Sequence, residues 1–304
     1  MDGVNLQVAG WPWYYVAIYF FIGGIAAGSY LLATIADVFG DSEEDAPLIK
    51  IGHYVAFILI AIAPLLLILD LGRPERFWRM LTQFKLDSPV SLGSWGLFLF
   101  GVFATLSAAI WLAKDGRLGS LGKTLEGLPR KVIAVIGAFF GTFVAGYTGV
   151  LLSSTTNPFW SGNQFLGVSF LTSALSTAIA LVSILLILRG HSQLIVLHNF
   201  RNLWLIVLGF EIFLLAQEII LGESTMLLSG QFLYTFVIAV LIVGVIIPLI
   251  LLVIHVGKSI SNGMLVLVAV LVLIGGFFLR YSVLVAGQSF IGGAEHAMRL
   301  LGFG

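Results

Sequence analysis

Apolar residues in this chain do not follow the two-residue or 3.6-residue period of half-buried elements. They form long runs separated by short polar connectors, at approximately 13–39, 48–70, 91–113, 131–153, 166–188, 202–222, 231–256 and 263–286. Each run is long enough to cross a hydrocarbon layer of ~30 Å as a helix, and none shows the roughly ten-residue alternation of a membrane β-strand. The longest polar stretch, about residues 114–131, leaves no room for a soluble domain. The pattern predicts an all-α integral membrane protein with eight transmembrane helices and one membrane domain over residues 1–304. Met1-Asp2-Gly3 lacks the basic region of a signal peptide, so the first run is expected to stay in the mature chain.

Composition narrows the function. Of 304 residues, 59% are hydrophobic and 10% charged, against about 25% charged in an average soluble domain, and the mean hydropathy is +1.07. These values exclude a soluble enzyme, a disordered chain and a nucleic-acid binder relying on a basic patch. Cysteine is absent, which excludes disulfides, thiolate metal sites, iron–sulfur ligation and a cysteine nucleophile within the chain.

The 15 basic and 15 acidic residues sum to zero, so their layout carries the information. Lys50, Lys114, Arg117, Lys123, Arg130, Lys131, Arg189, Arg201 and Lys258 fall in or near the first, third, fifth and seventh connectors. On the other side stand Arg73, Arg76, Arg79, Lys85, Arg280 and Arg299. The excess of positive charge on the first set predicts both termini on the external (periplasmic) side. The exception is the connector between the second and third spans. Its Arg73, Arg76, Arg79 and Lys85, interleaved with Phe77 and Trp78, suit an interfacial helix with snorkelling arginines; they equally suit docking of a partner subunit.

Ionisable residues within a span are costly and point to function. Here they are Asp37, His53, Asp70, Glu211, Glu218, His255 and Arg280. Glu211 and Glu218 are seven apart, hence on one helical face and about 10 Å apart along the axis. Two readings stand: carboxyls bonded to a neighbouring helix, or part of a proton path. Asp70 precedes the helix-stopping Gly72 and Pro74, either as a capping partner for arginine or as a carboxylate at the mouth of a pocket. Trp11, Trp13, Tyr14, Tyr15 and Tyr19 form an aromatic belt at one interface. Tyr15, Tyr19, Asp70, Tyr147, Glu218 and Arg280 fall at one membrane depth, a set suited to a lipophilic ligand that forms hydrogen bonds.

Of the five histidines, only His53 and His255 suit a buried haem, and both lie near the inner face; no mid-span lysine is available for a Schiff base. A haem-free chain is expected. Gly24-x-x-x-Gly28 and Gly137-x-x-x-Gly141 predict close helix contacts, and Pro64 and Pro248 predict kinks in the second and seventh helices. A secondary transporter or a purely structural anchor is the alternative reading; a transporter would favour repeat symmetry and broken helices around a midplane site, and Pro64 and Pro248 could be read that way but are not at corresponding positions of the two halves. A purely structural anchor would need no Glu211.

The chain resembles the quinol-interacting membrane subunits of the polysulfide reductase/NrfD type. The resemblance rests on Trp11-Pro-Trp-Tyr-Tyr-Val-Ala-Ile-Tyr19 with Gly23-Gly-Ile-Ala-Ala-Gly28, and on Asp70-Leu-Gly-Arg-Pro-Glu-Arg-Phe-Trp78. It extends to Tyr147-Thr-Gly-Val-Leu-Leu-Ser153 with Asn157-Pro-Phe-Trp160, and to Arg280-Tyr281 ahead of Gly287-Gln288. It implies two four-helix bundles, a multi-pass chain of the bacterial or archaeal cytoplasmic (inner) membrane, and no haem or metal. It also implies a site for menaquinone or ubiquinone near the external face, with Asp70, Tyr147 and Arg280 at the quinone and Tyr15 and Tyr19 lining the pocket. The implied partners are a four-cluster ferredoxin-like iron–sulfur subunit and a molybdopterin catalytic subunit or a multihaem cytochrome. The chain would then be non-catalytic alone, with Glu211 and Glu218 on a proton path and Arg73, Arg76, Arg79 and Lys85 docking the partner. Some members carry a His and an Asn on the first helix facing the headgroup; this helix offers Tyr14, Tyr15 and Tyr19 and no His.

Overall fold

A computed structural model describes residues 13–41, 43–70, 75, 77–82, 84–85, 87–191, 195–221, 227–228, 230, 232–256 and 260–300. Side chains at 13, 70, 80, 121, 195–200, 221 and 290–300 lie outside the description. All regular structure among the described residues is helical. Among them, eight helices are long and apolar enough to cross a membrane. In chain order these are α1 (Trp13–Phe39), α2 (Ala46–Asp70), α4 (Pro89–Lys114), α6 (Arg130–Ser153), α8 (Leu166–Leu188), α9 (Ile195–Leu221), a π-helix π1 (Leu233–Ile246) continued by α10 (Ile247–Val253), and α11 (Asn262–Leu300). The short helices α3 (Arg79–Thr82), α5 (Gly119–Glu126) and α7 (Pro158–Ser161) lie in connectors.

Local chemistry fixes the helix ends. Ser88 caps α4 by accepting from the Ser91 N–H, and Pro89 occupies the first turn, where its missing N–H costs nothing. At the other end Gly116, at φ 72°, lets its own N–H reach Ala113 O and that of Arg117 reach Leu112 O. Gly190 closes α8 in the same way.

Contacts between distant connectors show the helices alternating in direction. Asp37 at the end of α1 meets Arg130 at the start of α6, whereas Asn157 before α7 reaches Gly287 late in α11. The face at which α1 begins is called proximal below, and the opposite face distal. α1 is the most enclosed span, packed on α2, α6, α8 and α11. α4 lies against α6 and α2, α9 against α8, and π1 against α11. Lipid tails are as apolar as the surfaces of such helices, so association rests on close packing and internal polar contacts. Gly28 shows the first: a Cβ there would run into the Ala174 carbonyl and the Ala178 methyl of α8.

The seventh span differs from a proline-kinked α-helix. It winds as a π-helix until the Ile247 N–H bonds to Ile242 O, five residues back, and turns α-helical where Pro248 has no N–H to give. Gly244 within it lies directly against Gly275 of α11. α2 runs on through Pro64.

Near the distal face a second polar group holds α1, α2, α4 and α6 together. Asp37, fully buried, lies 2.6 Å from the Arg130 guanidinium, which also sits over the Trp111 ring. Tyr30 shares a hydrogen bond of 2.6 Å with Ser107 and packs edge-on against His53. Asp37→Ala is expected to cost about 2 kcal/mol, below the usual cost of breaking a buried pair because Arg130 is partly open to solvent. Chemical unfolding in detergent measures it. Arg130→Met in the same protein should recover part of the loss, and strict additivity would show that the pair does not interact.

Candidate functional site

The expected site residues occupy the proximal half of the spans, and the structure separates them into three groups. The first is phenolic. Tyr15 is half-buried with its ring tilted against that of Tyr14, centroids 4.4 Å apart, while Tyr19, one turn deeper, is buried beside Phe20. Tyr147 of α6 lies within electrostatic reach of Tyr19. Its ring stacks on Phe143 and covers Gly93, where any side chain would collide with it. Its hydroxyl donates to Pro89 O at 2.6 Å. The proton is therefore committed to the start of α4, and the oxygen's lone pairs remain open as acceptors.

The second group is centred on Arg280, which is fully buried. Its Nε donates to Phe20 O of α1 at 3.2 Å, and Nη2 donates to Phe170 O of α8 at 3.3 Å. Nη1 donates to Ser173 Oγ at 3.1 Å and to Gly276 O at 2.7 Å. Four of the five guanidinium N–H groups are thereby used. The head lies over the Phe21 and Phe170 rings, and a Cβ on Gly24 would stand 2.9 Å from Nη2. The small-residue pair on α1 thus has two jobs: Gly24 leaves space for a buried cation, and Gly28 lets α8 approach.

The third group joins Arg280 to the carboxyls of α9. Glu211 accepts from Ser176 Oγ at 3.0 Å, faces Ser173, and lies in the field of Arg280. Glu218, toward the proximal end, is buried and faces Ser169 and Asn163 without an aligned hydrogen bond. Ser169, Ser173 and Ser176 recur at helical spacing, so one face of α8 supplies hydroxyls along the line from Glu218 to Arg280. This hydroxyl face was missed from the sequence. The signal was present as Ser169-x-x-Thr172-Ser173-x-x-Ser176-Thr177. Serines and threonines in membrane helices commonly bond their own backbone, as Thr172 and Thr177 do here.

The connector between α6 and α8 covers this region. Asn157 caps α7 through Phe159 N and donates through Nδ2 to Gly287 O at 2.8 Å. Trp160 Nε1 donates to Val283 O at 2.9 Å. These bonds hold α11 at the turn above Arg280.

Asp70 ends α2, but its side chain lies outside the described residues, as do Arg73 and Arg76. Arg79 and Lys85 are exposed on the α2–α4 connector, with Arg79 over the Trp78 ring. An apolar cavity of about 520 Å³ lies between α2 and α4, and neither Tyr147 nor Arg280 lines it. No group of three or more His, Asp or Glu converges to hold a metal among the described residues. His53 contacts Ile49 O and Tyr30, whereas His255 sits at the distal end of α10, its carbonyl accepting from Arg201.

The sequence matches the family described as "Polysulphide reductase, NrfD" over residues 4–292. It is 30% identical to a polysulfide reductase polypeptide of Wolinella succinogenes, across 96% of this chain and 98% of that one. It is 27% identical to the NrfD homolog of Haemophilus influenzae, across 90% and 94%. Similarity to a selenate reductase polypeptide of Mesobacillus selenatarsenatis is 23%, across 82% and 68%. With eight apolar helices and a family match over nearly its whole length, the chain is a multi-pass integral membrane protein that belongs to the NrfD/polysulphide reductase family.

Proposed function

We propose that the chain is the haem-free, quinol-reactive membrane subunit of a respiratory oxidoreductase complex. The observation that carries this reading is the buried polar cluster of Glu218, Glu211 bonded to Ser176, and Arg280 bonded to Ser173 and to Phe20 O, the residue after Tyr19. A passive anchor gains nothing from two carboxyls and a guanidinium inside apolar spans. Quinol oxidation releases two electrons and two protons, so its site needs acceptors for both. The Tyr147 oxygen is open to accept a hydrogen bond from a quinol hydroxyl. Asp70, at the proximal end of α2, or Glu218 takes up each of the two protons in turn, and Glu211 extends the path inward, which allows proton translocation.

Cysteine is absent and no metal-ligating cluster forms among the described residues. In this reading electrons pass directly between the quinone, menaquinone or ubiquinone, and an iron–sulfur partner of the four-cluster ferredoxin type. That partner docks on Arg73, Arg76, Arg79 and Lys85 and carries electrons to or from a molybdopterin subunit or a multihaem cytochrome. In this reading the spans form two four-helix bundles in the bacterial or archaeal inner membrane, with the proximal face and both termini periplasmic.

Quinol oxidation by the intact purified complex tests the proposal. Glu218→Gln keeps the shape and removes the carboxylate that would take up the proton; turnover is expected to fall roughly tenfold or more, with an increased solvent deuterium isotope effect. Unchanged turnover in Glu218→Gln and Asp70→Asn alike would sink the proton-acceptor assignment and favour a structural anchor.

A further inference from the structure

The cavity between α2 and α4 belongs to none of the groups above. It runs along α2 from Phe57 to Ile68 and along α4 from Ser94 to Leu106, and its proximal end is closed by Leu81 of α3. Eleven residues of helical rise make it about 16 Å deep, close to half of a ~30 Å hydrocarbon layer and so one leaflet. The exposed faces of Phe57, Phe98 and Val102 open it sideways to lipid.

Its wall is almost entirely hydrocarbon. The two hydroxyl residues in the wall are turned back on their own helix: Ser94 Oγ donates to Val90 O at 2.8 Å and Thr105 Oγ1 to Gly101 O at 2.7 Å. Both hydroxyl protons are thereby taken, so neither residue has a donor left for a polar ligand. Its volume of about 520 Å³ lies within the ~300–1,000 Å³ of small-molecule sites. The floor is open at Gly101, where an added Cβ would meet nothing within 4 Å.

Charge at the mouth selects the molecule. Arg79 stands in the chain between Phe77 and Leu81, which line the groove, and is exposed. Across residues 71–88 the connector has four basic residues, Arg73, Arg76, Arg79 and Lys85, against Glu75 and Asp87. Basic groups beside an apolar crevice at headgroup depth favour an anionic lipid.

We propose that the α2–α4 groove is the seat of one anionic glycerophospholipid of the proximal leaflet. One acyl tail fills the groove from Ile68 down to Phe57, and its phosphate lies at Arg79. A quinone tail has the hydrocarbon character but brings no charge to the arginine. The bound lipid also lies under the connector that docks the partner, so it stiffens that surface.

The test uses the complex purified in mild detergent and washed with phosphatidylglycerol or phosphatidylcholine, with bound lipid counted by mass spectrometry. About one phosphatidylglycerol per protein should survive washing, in preference to phosphatidylcholine. Gly101→Phe places a ring in open space and should lower that occupancy roughly tenfold or more without lowering the unfolding temperature. Arg79→Ala should keep the acyl-binding groove but erase the preference for the anionic lipid. Wild-type retention of phosphatidylglycerol in a folded Gly101→Phe overturns the proposal, as does displacement of quinone in place of phospholipid. If Gly101→Phe lowers the unfolding temperature, the smaller Gly101→Leu is read by the same two outcomes.

Discussion

Arg280→Lys is expected to destabilise the protein by about 3–5 kcal/mol, although it keeps the charge. The guanidinium reaches Phe20 O on α1, Phe170 O and Ser173 Oγ on α8, and Gly276 O on its own helix. A single ammonium on a shorter stem cannot meet acceptors spread over three helices, so a cation would remain buried with fewer partners. Arg280→Leu separates the two contributions. It also deletes the bonds, but it removes the buried charge, and the helix carbonyls retain their bonds within the helix. The leucine variant should therefore unfold at a higher temperature than the lysine variant, with Glu211 left without its nearby cation. The reverse order would mean that the charge itself, rather than the geometry of its donors, holds α1, α8 and α11 together.

The eight spans were readable because an apolar run of membrane length has few alternatives to a helix. The costly residues were readable for a related reason: Glu211, Glu218 and Arg280 stand out against an apolar background. Their partners did not stand out. Ser169, Ser173 and Ser176 are ordinary residues for a membrane helix, and only the packing of α8 between α9 and α11 gives them a purpose. The π-winding at Leu233–Ile246 left no pattern, because an all-apolar segment looks the same at either pitch. The resemblance to the family placed Tyr147 and Arg280 in one site, but not the way each is used. Arg280 has nearly all its donors engaged by backbone and serine, and the Tyr147 hydroxyl donates its hydrogen bond to Pro89 O. In the proposed reading this leaves the Tyr147 oxygen to accept a hydrogen bond from a quinol hydroxyl, with a carboxylate taking the proton, and leaves no free phenolic donor for a quinone oxygen.

Tyr147→Phe tests that reading directly. The ring keeps its stacking on Phe143 and its fit over Gly93, so only the hydroxyl is lost. Pro89 O loses one bond, worth about 1 kcal/mol to the fold, and the complex should purify intact. Quinol oxidation is expected to fall about a hundredfold, a typical loss for a group that handles a proton in the rate-limiting step. The split of parameters matters as much as the size. A hydroxyl that merely anchors the quinol would raise KM and leave kcat alone, whereas one that orders proton transfer lowers kcat and shifts its pH profile. The expectation here is a fall in kcat, because an oxygen that donates to Pro89 is fixed in place and its lone pairs meet the quinol hydroxyl as the proton leaves. Activity within about twofold of wild type in an intact complex would remove Tyr147 from the site and leave the Ser173–Glu211 end of the polar cluster to carry the chemistry.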